Sequence, residues 1–113
     1  MVKEEVFESL KTELQASEGD LFNETLLKSK VESAYREVMS LRQYPYSYSQ
    51  VTIENDIEQF YTVIRRVALF DYSQSGAEGQ TSYSADGTSI HYIDRDKLFY
   101  GVIPIGGVIH EDS

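Results

Sequence analysis

A chain of 113 residues with 41% hydrophobic residues and nine tyrosines carries enough apolar material for one domain around one core. Nineteen acids against ten bases leave a net charge of −9, and the bases are scattered with Arg65-Arg66 as the only adjacent pair, so a direct grip on DNA, RNA or anionic lipid is not expected. The chain has no cysteine, which excludes disulfides, thiolate metal sites and cysteine nucleophiles and suits a reducing cytoplasm.

The opening residues Met1-Val2-Lys3-Glu4-Glu5-Val6 are acidic and lack the apolar core of a signal peptide. No apolar run approaches the ~20 residues that cross a bilayer, so a soluble intracellular protein without membrane contact is expected.

Residues 2–16 place Val6, Phe7, Leu10 and Leu14 at steps of three and four, one face of a helix. Gly19 lets the chain leave that helix through a left-handed conformation, and Asp20 is read as the acceptor that caps the next one. In that second helix, 21–41, the residues Leu27, Val31, Ala34, Val38 and Leu41 repeat at steps of four and three. A coiled-coil seam has this spacing, but the pattern lasts little more than two heptads, and a core-facing helix of a bundle is the better reading.

The run Arg42-Gln43-Tyr44-Pro45-Tyr46-Ser47-Tyr48-Ser49 stops the helix near Tyr44, because proline excludes helical geometry from the residue before it. Three tyrosines at alternate positions suit base stacking, yet no basic residue lies among them. They are read instead as rings over the helix ends, with a protein contact surface as the second possibility.

A third and longest helix is expected over 52–73, with Thr52 as N-cap and Glu54 and Asp56 near its positive end. Its buried stripe is Ile53, Ile57, Phe60, Ile64, Val67 and Ala68, with Tyr61 and Phe70 beside it, and it is the expected centre of the core.

From Gly76 to Ser89 the chain is rich in glycine, serine and acids and shows no hydrophobic repeat. Asp86-Gly87 suits a hairpin turn between strands at 80–84 and 89–93, so a β-hairpin or extended loop is expected at about 76–93. Such a hairpin needs a packing partner in the helices or in another chain. A short helix over 94–101 precedes Val102-Ile103-Pro104-Ile105-Gly106-Gly107-Val108-Ile109, an apolar stretch broken by proline and glycines. It can dock on a neighbour or fold back across its own core.

The expected fold is thus mainly α: three longer helices plus a short C-terminal one. It forms a single domain with a helical core at 2–75 and a hairpin and C-terminal arm at 76–113.

Chemistry is hard to find. Gly76-Ala77-Glu78-Gly79 spaces two glycines like a phosphate clamp, but Glu78 would meet the phosphate, and the lysine and hydroxyl of a P-loop are missing. His91 and His110 have no partner at metal-ligand spacing, and no serine stands in a Gly-x-Ser-x-Gly elbow. Among nineteen carboxylates some pair always resembles a dyad, so such a pair carries no information. Neither an enzyme nor a cofactor nor a metal site is expected.

One resemblance is informative. The run Ala68-Leu69-Phe70-Asp71-Tyr72, then Gly76-Ala77-Glu78-Gly79-Gln80-Thr81-Ser82-Tyr83-Ser84, then Asp86-Gly87, Tyr92 and Ile103-Pro104-Ile105, resembles the small head–tail connector proteins of long-tailed bacteriophages. It covers residues 67–106. Ser89-Ile90-His91-Tyr92 departs from the family pattern, in which an arginine commonly precedes the tyrosine, so a basic contact at that place does not carry over.

The resemblance implies a non-catalytic structural adaptor of the virion, made in the bacterial host cytoplasm and placed at the head–tail interface. It would dock on the portal protein as a ring of copies and offer a surface to the next head-completion or tail protein. DNA would pass through the ring without specific binding, as a strongly acidic chain allows. The partner-binding residues it points to are Gly76, Ala77, Glu78, Gly79, Gln80, Ser82, Ser84, Tyr92, Ile103, Pro104 and Ile105. Within them Gly76 and Gly79 are expected to permit a backbone path closed to other residues, and Glu78 to bond to backbone amides or a nearby basic group. The alternative from another class is an acidic regulatory or inhibitory protein that binds a basic nucleic-acid-processing protein.

Overall fold

A computed structural model describes residues 1–75 and 95–105, and they are helical with short connections. The elements are α1 (Val2–Glu18), α2 (Glu24–Arg42), α3 (Gln50–Ile57) and α4 (Tyr61–Ser75), with 3₁₀ turns at Gly19–Leu21, Glu58–Phe60 and Arg95–Phe99. Helix α2 packs chiefly against α4, and α1 lies against both. Among the described residues there is no strand, and no helix is long and apolar enough to cross a membrane. The hairpin expected at about 76–93 falls outside the described residues.

The helix periodicities survive into the core, except that Ile53 of the expected third stripe is only half-buried. Val2, Val6, Leu10 and Leu14 from α1 meet Leu27, Val31, Ala34, Tyr35 and Val38 from α2, and all are buried. Ile57, Phe60, Ile64, Val67, Ala68 and Tyr72 close the third side, and Val102 from the C-terminal segment is buried with them. Fully removing one such side chain from water stabilises by about 1.5–3 kcal/mol, so this three-sided seam is the main source of stability.

Five local expectations need correcting. Asp20 does not cap α2. It sits exposed in the 3₁₀ turn, and Asn23 Oδ1 takes the Leu26 amide at 3.0 Å. Gly19 adopts positive φ (58°) with open space around it, but its ψ of −126° is not that of the expected left-handed conformation.

The second correction concerns the end of α2. Leu41 leaves the buried stripe and is 39% exposed, while Arg42 is only 9% exposed. One step of four from Val38 lands on Arg42, one of three on Leu41, and the arginine wins because it finds partners inside.

The third concerns the start of the next helix, which is Gln50 under a Ser49 cap, Ser49 Oγ accepting from the Thr52 amide at 3.1 Å. Thr52 is therefore one turn inside. Fourth, the single helix expected over 52–73 is two α-helices joined by the 3₁₀ turn Glu58–Phe60. A reason lies at Asp56, whose carbonyl receives Gln59 Nε2 at 2.9 Å and so faces a competitor to the Phe60 amide of a regular helix. Fifth, the short helix expected over 94–101 is a 3₁₀ turn, and Gly101 follows it at φ 94°.

Candidate partner-binding surfaces

The C-terminal segment is held from one residue. Helix α2 ends at Arg42, and Gln43 takes the left-handed conformation (φ 50°, ψ 60°) that turns the chain away. The Arg42 guanidinium points back inward. Its Nε and Nη2 donate to the two carboxylate oxygens of Asp56 on α3, each at 2.9 Å, and its Nη1 donates to the Ile103 carbonyl at 2.9 Å. The Arg42 carbonyl in turn accepts the Ile105 amide at 2.7 Å. Side chain and backbone of one residue thus clamp both sides of Pro104.

Asp56 is fully engaged. Tyr44 Oη donates to it at 2.6 Å and Gln59 Nε2 at 2.9 Å, in addition to the arginine fork. Burial pushes its carboxyl pKa up, but the hydrogen bonds from Arg42 and Tyr44 outweigh this and hold it below the usual value of 3.8. The same contacts act oppositely on Tyr44: burial, then the carboxylate that accepts its proton, push the phenol well above its usual 10.0. The Arg42 guanidinium lies 5.1 Å from the Phe60 ring centroid, which packs its apolar face.

The alternate tyrosines divide their work. Tyr44 and Tyr48 are half-buried with ring centroids 6.0 Å apart, whereas Tyr46 is fully exposed. Two rings lie over the helix ends and one faces out.

A second arginine fixes the segment from the other side. Arg95 reaches Glu37 on α2 (Nη2–Oε1 2.6 Å) and Asp71 on α4 (Nε–Oδ1 2.9 Å, Nη2–Oδ2 2.6 Å), and its guanidinium covers the Phe99 ring at 5.4 Å. Arg66 adds two donors to the Leu98 carbonyl, at 3.0 and 3.2 Å. Between α4 and this segment runs a groove of about 360 Å³ with Leu69, Phe70 and Leu98 in its wall and Arg65 and Arg66 at its side. Arg65 is committed to Ser9 and Glu13 on α1. Arg66 forms no ion pair with a carboxylate among the described residues.

Of the residues singled out from the sequence, Ile103, Pro104 and Ile105 are on the page: Ile103 exposes its side chain, and Pro104 and Ile105 are half-buried on the Arg42 clamp. Gly76, Ala77, Glu78, Gly79, Gln80, Ser82, Ser84 and Tyr92 lie outside the described residues. Arg42, Asp56, Glu37, Asp71 and Arg95 went unread in sequence as a set. A signal did exist: an arginine one turn beyond Val38 on the apolar stripe requires a buried acid somewhere.

A further pattern emerges once these contacts are known. Residues 43–53 contain no charged side chain, and neither do residues 98–105, in a chain that is 26% charged. The Arg42 clamp joins these two runs at one end of the bundle, where Tyr46, Val51 and Ile103 are exposed. No protein-family model, curated protein or solved structure matches the chain.

Proposed function

We propose that the chain is a non-catalytic adaptor of a long-tailed bacteriophage virion. It docks on the portal as a ring of copies, extends the DNA channel and joins capsid to tail. The resemblance over residues 67–106 supplies the family. The structural observation that supports an adaptor is the end of the bundle, where the uncharged, tyrosine-bearing run 43–53 meets a C-terminal segment clamped at Arg42.

Such an end is suited to a protein neighbour. Exposed Tyr46, Val51 and Ile103 give apolar area to bury, no charge has to be desolvated among residues 43–53, and the clamp fixes where the chain passes Ile105. The rest of the chain keeps its acidic balance, which repels DNA passing through a channel without holding it.

The acidic-inhibitor alternative requires carboxylates free to imitate phosphates. Six of the nineteen, Glu13, Glu24, Glu32, Glu37, Asp56 and Asp71, are instead each within 4 Å of a cation of the same chain, which reduces the number available for that role.

Electron microscopy of particles made without this chain tests the proposal. Filled or leaking heads beside complete, unattached tails are the expected result. Normal infectious particles would sink it and move the inhibitory reading forward, which a pull-down against a basic nucleic-acid-processing protein would then examine.

A further inference from the structure

We propose that the groove along α4 receives the sparsely charged end of a second copy of this chain, head to tail, with Tyr46 of the incoming copy over Arg66 and its Val51 and Ile103 side chains toward Leu69, Phe70 and Leu98. This rests on the ring reading above and names the surfaces that would build the ring.

Electrostatics selects the two faces. Two chains of charge −9 repel over most approaches, and that repulsion acts across about 8–10 Å at ordinary salt. They meet at lowest cost where one face carries no charge and the other carries an uncompensated cation. The clamped end comes near the first description, because residues 43–53 and 99–105 carry no charged side chain. The groove fits the second, because Arg66 is exposed and binds only the Leu98 carbonyl among the described residues.

Shape and chemistry agree with that choice. A guanidinium that donates to a carbonyl along its edge keeps its faces for a ring, and a tyrosine on one of them gains a cation–π contact. Tyr46 is the described tyrosine with no part of its ring covered. The aliphatic neighbours Val51 and Ile103, also exposed, match the apolar wall of the groove. The patches are different surfaces of the chain, so the contact is heterologous and propagates until it closes, as a ring demands.

Sedimentation velocity of the full chain, with circular dichroism to check folding, decides it. The wild-type chain is expected to associate with rising concentration and more strongly at higher salt, since screening removes like-charge repulsion. Tyr46→Ala and Arg66→Glu should each weaken association about thirtyfold, the loss of one interface hot spot. Each variant keeps one intact face, so mixing the two should give a one-to-one dimer that grows no further.

A mixture that stays monomeric overturns the proposal. So does a wild-type chain that is monomeric at about millimolar concentration, where weak interfaces register, or an Arg66→Glu chain that associates like wild type. If the mixed dimer forms but particles lacking the chain are normal, the contact stands and the virion reading falls. Unattached heads and tails combined with a monomeric mixture would give the reverse.

Discussion

Arg42 and Asp56 sit fourteen positions apart on two different helices and face each other through both nitrogens and both oxygens at 2.9 Å. The pair does more than join α2 to α3. It draws the Ile103 carbonyl and the Tyr44 hydroxyl to the same point, so the ends of three segments share one charge pair. A pair with 11% and 17% of its side-chain surface exposed is costly to desolvate, and its partners offset that cost only while all of them are present.

Removing one partner should therefore hurt more than removing both. Asp56→Leu strands a nearly buried guanidinium and is expected to cost about 3 kcal/mol, the lower end for a broken buried pair. Arg42→Met combined with Asp56→Leu should cost less than the two single changes summed. Urea denaturation of the three variants measures both. Additive losses would mean that the pair is an ordinary surface contact.

The cap assignments give a cleaner contrast. Asn23→Ala removes the acceptor of the Leu26 amide and should destabilise by about 1 kcal/mol. Asp20→Ala should change stability by no more than about 0.5 kcal/mol, the usual range for an exposed side chain. Thermal or urea unfolding compares them. An Asp20 effect equal to that of Asn23 would move the cap three residues back.

What was legible in the sequence was whatever local chemistry determines alone. The stripes of α1 and α2 obey helical spacing, Gly19 takes positive φ, and the Tyr44-Pro45 break ends α2 near where proline requires. Asp20 against Asn23 and Thr52 against Ser49 were not legible, because each pair offers chemically equal caps within three residues and packing chooses between them. The Leu41–Arg42 exchange was illegible for a deeper reason. A stripe predicts an apolar residue, and only a carboxylate fourteen positions away makes an arginine the better occupant. The Arg95 clamp, with partners 24 and 58 positions distant, is illegible in the same way. Ile103, Pro104 and Ile105 were singled out through the resemblance. The clamp that holds them showed locally only as an arginine on the apolar stripe, with nothing to indicate its partners.

The core seam can be ranked against the exposed position that sequence spacing favoured. Ile64 is fully buried where α4 meets the bundle, so Ile64→Ala should cost about 2–5 kcal/mol. Leu41→Ala removes a side chain that is 39% exposed and should cost under about 1 kcal/mol. Equal losses in chemical denaturation would restore Leu41 to the core stripe.

Acid and alkali should both loosen the fold, through opposite ends of the same contacts. Asp56 and Glu32 are held below their usual values of 3.8 and 4.5, Glu32 mainly by its hydrogen bond from Lys3 and then by Arg36. Their contribution is present above those values and is lost as pH falls through the lower folded ones. Tyr44, Tyr35 and Tyr72 are raised above 10.0, chiefly by burial. Their contribution is complete below 10.0 and is lost as pH rises toward the folded values. Tyr44→Phe isolates one alkaline component. Near neutral pH the variant loses the bond to the Asp56 carboxylate and should be less stable by about 2 kcal/mol. At about pH 11 the unfolded wild-type chain ionises its tyrosine while the folded chain resists, so the wild-type advantage should shrink. Urea titrations of both chains at the two pH values read the difference directly. An advantage that stays constant would mean that Tyr44 ionises as freely in the folded chain as in the unfolded one, and that its proton is not held by Asp56.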